Sequence, residues 1–339
     1  DTFGFCFFQC LVVRPGAPDV LLTRSADLRQ AELTSTIQDI RIWKDAADAQ
    51  PGADLARLVA DLGLASKRLG WETTTHGLTH ANGQKVIDAL SEATLIPADD
   101  LIPGLRLIKS DEELVYIRRA AELADDALEA GLSETSAGAN EGKILAAMHN
   151  AIFAGGGDYP GNPFIIGSGP KALLCRYASG RLTLEANDQL TLEWAGTYRH
   201  YHVARMATVI VGTARPEHIA MHAAAAEALA ACEAALMPGR SMGDVFDAHA
   251  TTLDAHGFGA HRLNACGYAL GARFSPSWME PQMFYQGAET EITKGMVFFL
   301  HMILMDSDSG SAMSLGRTSL VTDGKAEPLT RHGTDMLQR

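Results

Sequence analysis

The stretch of residues 190–212 constrains the fold more strongly than any other part of this sequence. Two apolar runs, 190–194 and 206–211, flank a turn rich in polar and aromatic side chains. Runs of this length on both sides of a turn predict a β-hairpin that delivers side chains into a site. Glu193 lies inside the first run, where a carboxylate is costly to bury unless it is paired, hydrogen-bonded or bound to a metal. It is therefore either part of the chemistry or a side chain on the solvent face of an edge strand.

Composition limits the classes of function. The chain has 339 residues, of which 47% are hydrophobic, and a formal net charge of -13. These values predict two unequal domains and no nucleic-acid partner, because phosphate binding needs clustered basic side chains. The longest apolar runs, such as 296–305, are shorter than the roughly 20 residues that span a membrane. Five cysteines without a CxxC spacing indicate reduced thiols in a cytoplasmic protein.

Residues 1–104 alternate between predicted strands and helices. Strands are expected at 3–13, 20–23, 37–43 and 68–73, and helices at 25–32, 54–64 and 83–90. This alternation predicts an α/β domain with its sheet covered by helices. No G-x-G-x-x-G follows a strand, so the dinucleotide fingerprint is missing. The chain opens at Asp1 directly into an apolar run, and we expect the domain to be truncated at its start.

A domain boundary is expected where Pro103 and Gly104 interrupt the helical periodicity. The boundary divides the chain into a smaller domain, 1–104, and a larger one, 105–339. The larger domain opens with a capping box, Ser-Asp-Glu-Glu at 110–113, that predicts the start of a long helix.

The order of elements in the larger domain repeats. Two predicted helices followed by strands occur first over 110–212 and again over 216–321. This order predicts a pseudo-twofold domain with its site between the two halves.

Short motifs across 105–324 resemble those of the pita-bread fold shared by methionine aminopeptidase, prolidase, aminopeptidase P and creatinase. The motifs are LRLIKSDEE at 105–113, IRRAA at 117–121, GSGP at 167–170, GMVF at 295–298, and LVT at 320–322 followed by Gly324. The resemblance implies an α+β fold: a pita-bread C-terminal domain after the smaller α/β domain of the creatinase and prolidase branch. It also implies a homodimer in which the small domain of one subunit closes over the site of the other.

Metallopeptidases of this family hold two divalent metals with two Asp, one His and two Glu. By the motifs, these positions correspond here to Glu193, Ala204, Tyr268 and His301, and the last Glu falls at or near Gly316. Only Glu193 and His301 keep side chains that bind metal, and a two-metal site needs bridging carboxylates. We therefore expect no metal cofactor. A single divalent ion at these two residues, helped by His202 or Asp306, is the alternative.

Creatinase and ectoine hydrolases are the family's precedents for a different chemistry. EWAG at 193–196, GYALG at 267–271 and FQC at 8–10 resemble the ectoine hydrolase motifs. The resemblance implies hydrolysis of a C–N bond, in an amide, amidine or peptide, within a small nitrogenous metabolite. His301 would then be the general base, with a pKa raised by Glu193 beside it. Glu193 would orient water or bind a substrate cation, and Tyr268 would donate a hydrogen bond to the oxyanion.

Further side chains are candidates for substrate binding. Arg176 and Tyr177 stand where the family has a His-Tyr pair, and Arg176 suits a substrate carboxylate. Trp194 and Trp278 could line a pocket for a cation, and His202 could face the site from the hairpin. For each candidate, including His301 and Tyr268, the alternative is a packed core residue.

Two other functions stay open at the level of the sequence. A residual Xaa-Pro metallopeptidase, acting on dipeptide-like substrates, requires the motif register to be wrong by a residue or two. A catalytically inactive pita-bread domain used for binding is compatible with the loss of the metal ligands.

Overall fold

The computed structural model describes residues 4–339. The chain divides into two compact units, Asp1–Gly104 and Leu105–Arg339. The beginning of the strand expected at 3–13 lies outside the described residues. In the described part of the chain, every helix is too short or too polar to span a membrane.

The first unit is α/β. Its elements are β1 (Cys10–Val12), β2 (Val20–Arg24), α1 (Leu28–Thr34), β3 (Asp39–Trp43), α2 (Pro51–Asp61), β4 (Arg68–Trp71), α3 (His80–Ala89) and β5 (Thr94–Pro97). Strands β1, β2 and β3 form one sheet, in which β2 and β3 are parallel, and β4 and β5 form a separate parallel pair. Leu55, Leu58 and Val59 of α2 are buried, as their helical spacing predicts. Strand β1 is much shorter than expected, because Leu11 and Val13 are exposed and cover no core.

Pro103 and Gly104 do not interrupt the helix as expected, although the two units divide at Gly104, where the domain boundary was expected. Both residues lie inside helix α4 (Leu101–Leu107). Pro103 is in the first turn, where the backbone N–H that proline lacks would have no partner within the helix.

The second unit contains the twice-repeated order that the sequence predicts. Helices α5 (Asp111–Glu134) and α6 (Glu141–Ala154) precede β6 (Ile165–Ser168), β7 (Asp188–Tyr198) and β8 (Tyr201–Val211). Helices α7 (Pro216–Ala235) and α8 (Met242–Ala255) precede β9 (Gly267–Ala269), β10 (Val297–Asp306) and β11 (Ser311–Leu320). These strands form one sheet in the order β6-β7-β8-β11-β10-β9, to which β12 (Glu327–Pro328) and β13 (Leu337–Gln338) attach. The α+β pita-bread architecture is confirmed.

The capping box at the start of α5 is present in full. Ser110 Oγ accepts a hydrogen bond from the Glu113 backbone N–H at 3.2 Å, and Glu113 Oε2 accepts one from the Ser110 N–H at 2.8 Å. These contacts satisfy two backbone donors at the helix start, which fixes where the long helix begins.

The β7–β8 hairpin has a two-residue turn. Arg199 and His200 both have positive φ, which matches a type I′ turn and the twist of the strands. Gly196 lies against α5, where a Cβ atom would come within 2.0 Å of the Ala120 carbonyl oxygen. Because a side chain is excluded there, helix and strand pack with their backbones close together.

Candidate active site

One row of paired residues crosses the sheet of the second unit. Its members are Ile165, Glu193, Met206, Gly316 and His301, on β6, β7, β8, β11 and β10. Residues that pair directly across strands point to the same face of a sheet. Glu193 and His301 therefore share one face, opposite to the face on which Trp194 packs against α5.

Tyr268 connects the two ends of this row. Its hydroxyl donates to Glu193 Oε1 at 3.3 Å, and its ring centroid lies 5.9 Å from that of His301. Strand β9, which carries Tyr268, is four steps from β7, about 19 Å on a flat sheet at roughly 4.8 Å per step. The contact therefore requires a strongly curved sheet, with the site on its concave face.

Glu193 and His301 are not directly hydrogen-bonded to each other. Among residues 4–339, no hydrogen bond or ion pair joins these two side chains. Tyr268 lies between them, since its ring is beside His301 and its hydroxyl reaches Glu193.

Glu193 is partly exposed on this face. Burial raises its pKa from 4.5 to about 7, against the opposing effects of the Tyr268 hydrogen bond and the Arg176 charge. The carboxyl group therefore changes protonation near neutral pH, which is the property of a general acid or base.

The expected direction of the His301 pKa is wrong. Burial, reinforced by the positive charge of Arg176, lowers the pKa of His301 to about 4. Its side chain is buried, and Nδ1 has no hydrogen-bond partner in the described protein. Burial prevails because no hydrogen bond joins Glu193 to the imidazole, so His301 is neutral at physiological pH.

Arg176 faces the site from an exposed turn after a 3-10 helix, Gly169–Leu173. Its charge opposes the rise that burial causes in the pKa values of Glu193 and Tyr268 and adds to the fall in that of His301, which places the guanidinium near all three. Tyr177, its neighbour, stacks under Lys171 Nζ at 4.5 Å from the ring centroid.

Sequence reasoning missed Cys175. Its thiol is half-buried, and burial together with the negative charge of Glu193 raises its pKa. Its Sγ lies 3.6 Å from Met305 Sδ. Its position beside Arg176 was the available signal, but a single cysteine has no motif by which to be recognised.

Trp194 is a core residue, so its predicted contact with substrate is wrong. It is fully buried, and its indole Nε1 donates to the Ala124 carbonyl of α5 at 2.8 Å. Trp278 is also buried, with 1% of its surface exposed, and contacts Tyr268 rather than open space. Both tryptophans therefore lie out of reach of a substrate.

His202 lies on the same face as Glu193 but is fully buried. Its Nε2 accepts a hydrogen bond from the Gly161 backbone N–H at 2.8 Å, and Nδ1 has no partner in the described protein. Burial lowers its pKa to about 3. The hydrogen bond fixes the proton on Nδ1, so His202 is a neutral residue that ties the hairpin to the loop containing Gly161.

The five positions of the family's two-metal centre do not fit two metal ions. A carboxylate at Gly316 would meet the Phe299 ring, since even a Cβ there would lie 2.9 Å from Phe299 Cε2 and from the Leu300 carbonyl oxygen. The Phe299 ring is fully buried and packs against Tyr268 and His301. Within residues 4–339, no three His, Cys, Asp or Glu side chains are arranged to hold a metal.

The curved sheet, its two helix pairs and the site on its concave face define a pita-bread protein of the creatinase and prolidase type. The sequence pattern of metallopeptidase family M24 matches residues 115–323, and that of the Creatinase/Prolidase N-terminal domain matches residues 3–108. The chain belongs to metallopeptidase family M24. The predicted family is thereby confirmed, as is the prediction of a hydrolase of the peptidase and creatinase superfamily.

Individual relatives are distant. An ectoine hydrolase from Halomonas elongata is 24% identical over 346 residues, covering 97% of this chain and 86% of the relative. A Xaa-Pro dipeptidase from Pyrococcus furiosus is 25% identical over 239 residues, covering 70% of this chain and 67% of the relative. The structure of a Xaa-Pro dipeptidase from Bacillus anthracis superposes with a TM-score of 0.83 at 20% identity, covering 97% of this chain and 88% of that one. At this identity the structural likeness establishes the fold alone.

Proposed function

We propose that this protein hydrolyses a C–N bond in a small nitrogenous metabolite by side-chain acid and base chemistry instead of a two-metal centre. Glu193 carries the proposal. Of the five ligand positions, it alone keeps a carboxylate, and burial raises its pKa to about 7. A group with a pKa near the working pH can both accept and return a proton.

The proposed reaction uses Glu193 twice. Its ionised carboxylate takes a proton from water, and the resulting hydroxide attacks the carbon of the scissile C–N bond. As that bond breaks, the protonated Glu193 gives its proton to the leaving nitrogen. Tyr268 keeps the carboxylate aimed by donating to Oε1. Donation by Tyr268 to an oxyanion stays a prediction, and it would require this hydroxyl to leave Glu193.

The remaining side chains suit a small anionic or zwitterionic substrate. The exposed guanidinium of Arg176 would bind a substrate carboxylate with two hydrogen bonds. The neutral imidazole of His301 would hydrogen-bond to the substrate or to the attacking water. The similarity to an ectoine hydrolase over nearly the whole chain supports a substrate of this class.

Cleavage of Xaa-Pro dipeptides is the second candidate, favoured by the similarity to a Xaa-Pro dipeptidase. It would require a metal site that the five positions do not provide in their present form.

We also propose that the protein is a cytoplasmic homodimer.

Turnover of ectoine, creatine and Xaa-Pro dipeptides, measured with and without a chelator, tests the proposal. We expect activity on one small nitrogenous compound that survives chelation and metal removal verified by elemental analysis. Glu193→Gln should lower this activity about 10²–10⁴-fold, as expected for loss of a general base. Activity that needs added manganese, zinc or cobalt would contradict the proposal and favour the peptidase. Inactivity on the whole panel, together with tight binding of one compound, would favour a binding module.

A further inference from the structure

The buried indole N–H of Trp278 donates its hydrogen bond to a side chain of the candidate active site. A buried indole N–H needs an acceptor, and most often finds a backbone carbonyl, as Trp194 does with Ala124 at 2.8 Å. The N–H of Trp278 instead donates at 2.8 Å to the hydroxyl oxygen of Tyr268. That hydroxyl lies 3.3 Å from Glu193 Oε1. Trp278, Tyr268 and Glu193 therefore form one continuous hydrogen-bonded chain.

The direction of this chain is fixed by chemistry. An indole N–H can only donate, so the Tyr268 oxygen accepts from Trp278. The Tyr268 hydrogen must then point to its other neighbour, Glu193. Donation from the indole also polarises the phenol O–H and makes it a better donor.

An ion cluster around the buried carboxylate of Glu280 holds the segment that carries Trp278. Glu280 has only 3% of its surface exposed, and its Oε1 accepts from Arg106 at 2.7 Å. Its Oε2 lies 3.5 Å from Arg273 Nη1. The Glu280 backbone N–H donates to the Ala269 carbonyl of β9 at 3.0 Å, one residue from Tyr268. These contacts fix the segment against the strand that presents Tyr268.

We infer that Trp278 is a positioning residue, which directs the Tyr268 hydroxyl toward Glu193, and that the Glu280 ion cluster keeps Trp278 in place. The inference rests on the proposed function for its catalytic consequence. Its physical part, the state of Glu193, can be measured without any substrate. Trp278 thereby acts through Tyr268 and has no contact with the reacting atoms.

The test compares two tryptophan variants. Trp278→Phe removes one indole N–H from the chain, and Trp194→Phe removes a similarly buried one on the opposite face of the sheet. The readout is the Glu193 pKa from carbon-13 NMR of labelled Glu side chains, with the signal identified by its absence in Glu193→Gln. Since the Tyr268 hydrogen bond lowers this pKa, Trp278→Phe should raise it by about 0.5–1 pH unit, and Trp194→Phe should leave it unchanged.

Two further variants keep the test decisive. Tyr268→Phe should raise the Glu193 pKa at least as much, and adding Trp278→Phe to it should have no further effect. Glu280→Gln should shift the pKa in the same direction, and should add nothing in a Trp278→Phe background. An unchanged pKa in Trp278→Phe, or an equal shift in Trp194→Phe, would overturn the inference.

Activity separates the inference from the proposed function. In Trp278→Phe, the midpoint of the increase in kcat/KM with pH should move to higher pH, together with the Glu193 pKa. A Glu193→Gln variant with full activity would overturn the proposed function while leaving the NMR result intact. An inactive Glu193→Gln variant, combined with a kcat/KM profile in Trp278→Phe that matches wild type, would overturn the inference alone.

Discussion

Replacing Glu193 with glutamine should lower the activity of this protein and raise its stability at alkaline pH. Burial raises the pKa of Glu193 from 4.5 to about 7, so the folded protein holds this proton more tightly than the unfolded chain does. At 1.36 kcal/mol per pH unit, the ionised form costs about 3 kcal/mol above pH 7. Because the side chain is partly exposed, solvent screening reduces this cost to about 2 kcal/mol.

The sign of the effect follows from proton binding. Between pH 4.5 and 7 the folded state binds more protons at Glu193 than the unfolded state, so the contribution of Glu193 to wild-type stability falls as the pH rises. Glutamine has no proton to lose and lacks this fall. Relative to wild type, Glu193→Gln should therefore gain about 2 kcal/mol in the free energy of unfolding between pH 5 and pH 8.

Urea denaturation of both proteins at pH 5 and pH 8 measures this difference. All other titrating groups are present in both proteins, so their contributions to the pH dependence cancel in the comparison. Glu289→Gln, which changes an exposed glutamate of the same unit, is the matched control. Its free energy of unfolding should equal that of wild type at both pH 5 and pH 8. Parallel pH dependence of wild type and Glu193→Gln would refute the reasoning that burial controls the charge of Glu193.

Three further outcomes are expected. Gly316→Ala should lower the free energy of unfolding by about 1–3 kcal/mol, since the new methyl group meets the Phe299 ring, and adding Phe299→Leu should recover part of the loss in the same denaturation assay. Acid should destabilise the protein, because burial lowers the pKa values of His202, His249 and His301 to about 3, 4 and 4. Stability should then fall as the pH drops below 6.5, with a slope of up to about 1.4 kcal/mol per pH unit for each histidine, and equal melting temperatures at pH 7 and pH 5 would contradict this. Light scattering at micromolar concentration should give the mass of a dimer, and a monomer would contradict the proposed assembly.

The sequence by itself determined the architecture of the larger unit. Apolar periodicity, the capping box before α5 and the turn residues between strands are local signals, and they predicted the repeated order of helices and strands. The family motifs, read in register, also identified Glu193 and His301 as positions on one face. This worked because matching motifs occupy matching strand positions, and Glu193 and His301 lie on one row of paired residues across the sheet.

Only the tertiary structure decided what those positions do. The curvature of the sheet brings Tyr268 from β9 to Glu193, and sequence spacing contains no measure of curvature. Burial set the charges as well, raising the pKa of Glu193 and lowering that of His301, contrary to the expectation from pairing alone. Trp194 and Trp278 look equivalent in the sequence, yet Trp194 packs against α5 while Trp278 orients Tyr268. The pKa of a group and the partner of a hydrogen bond both depend on neighbours that are remote in the chain, so the sequence alone does not reveal them.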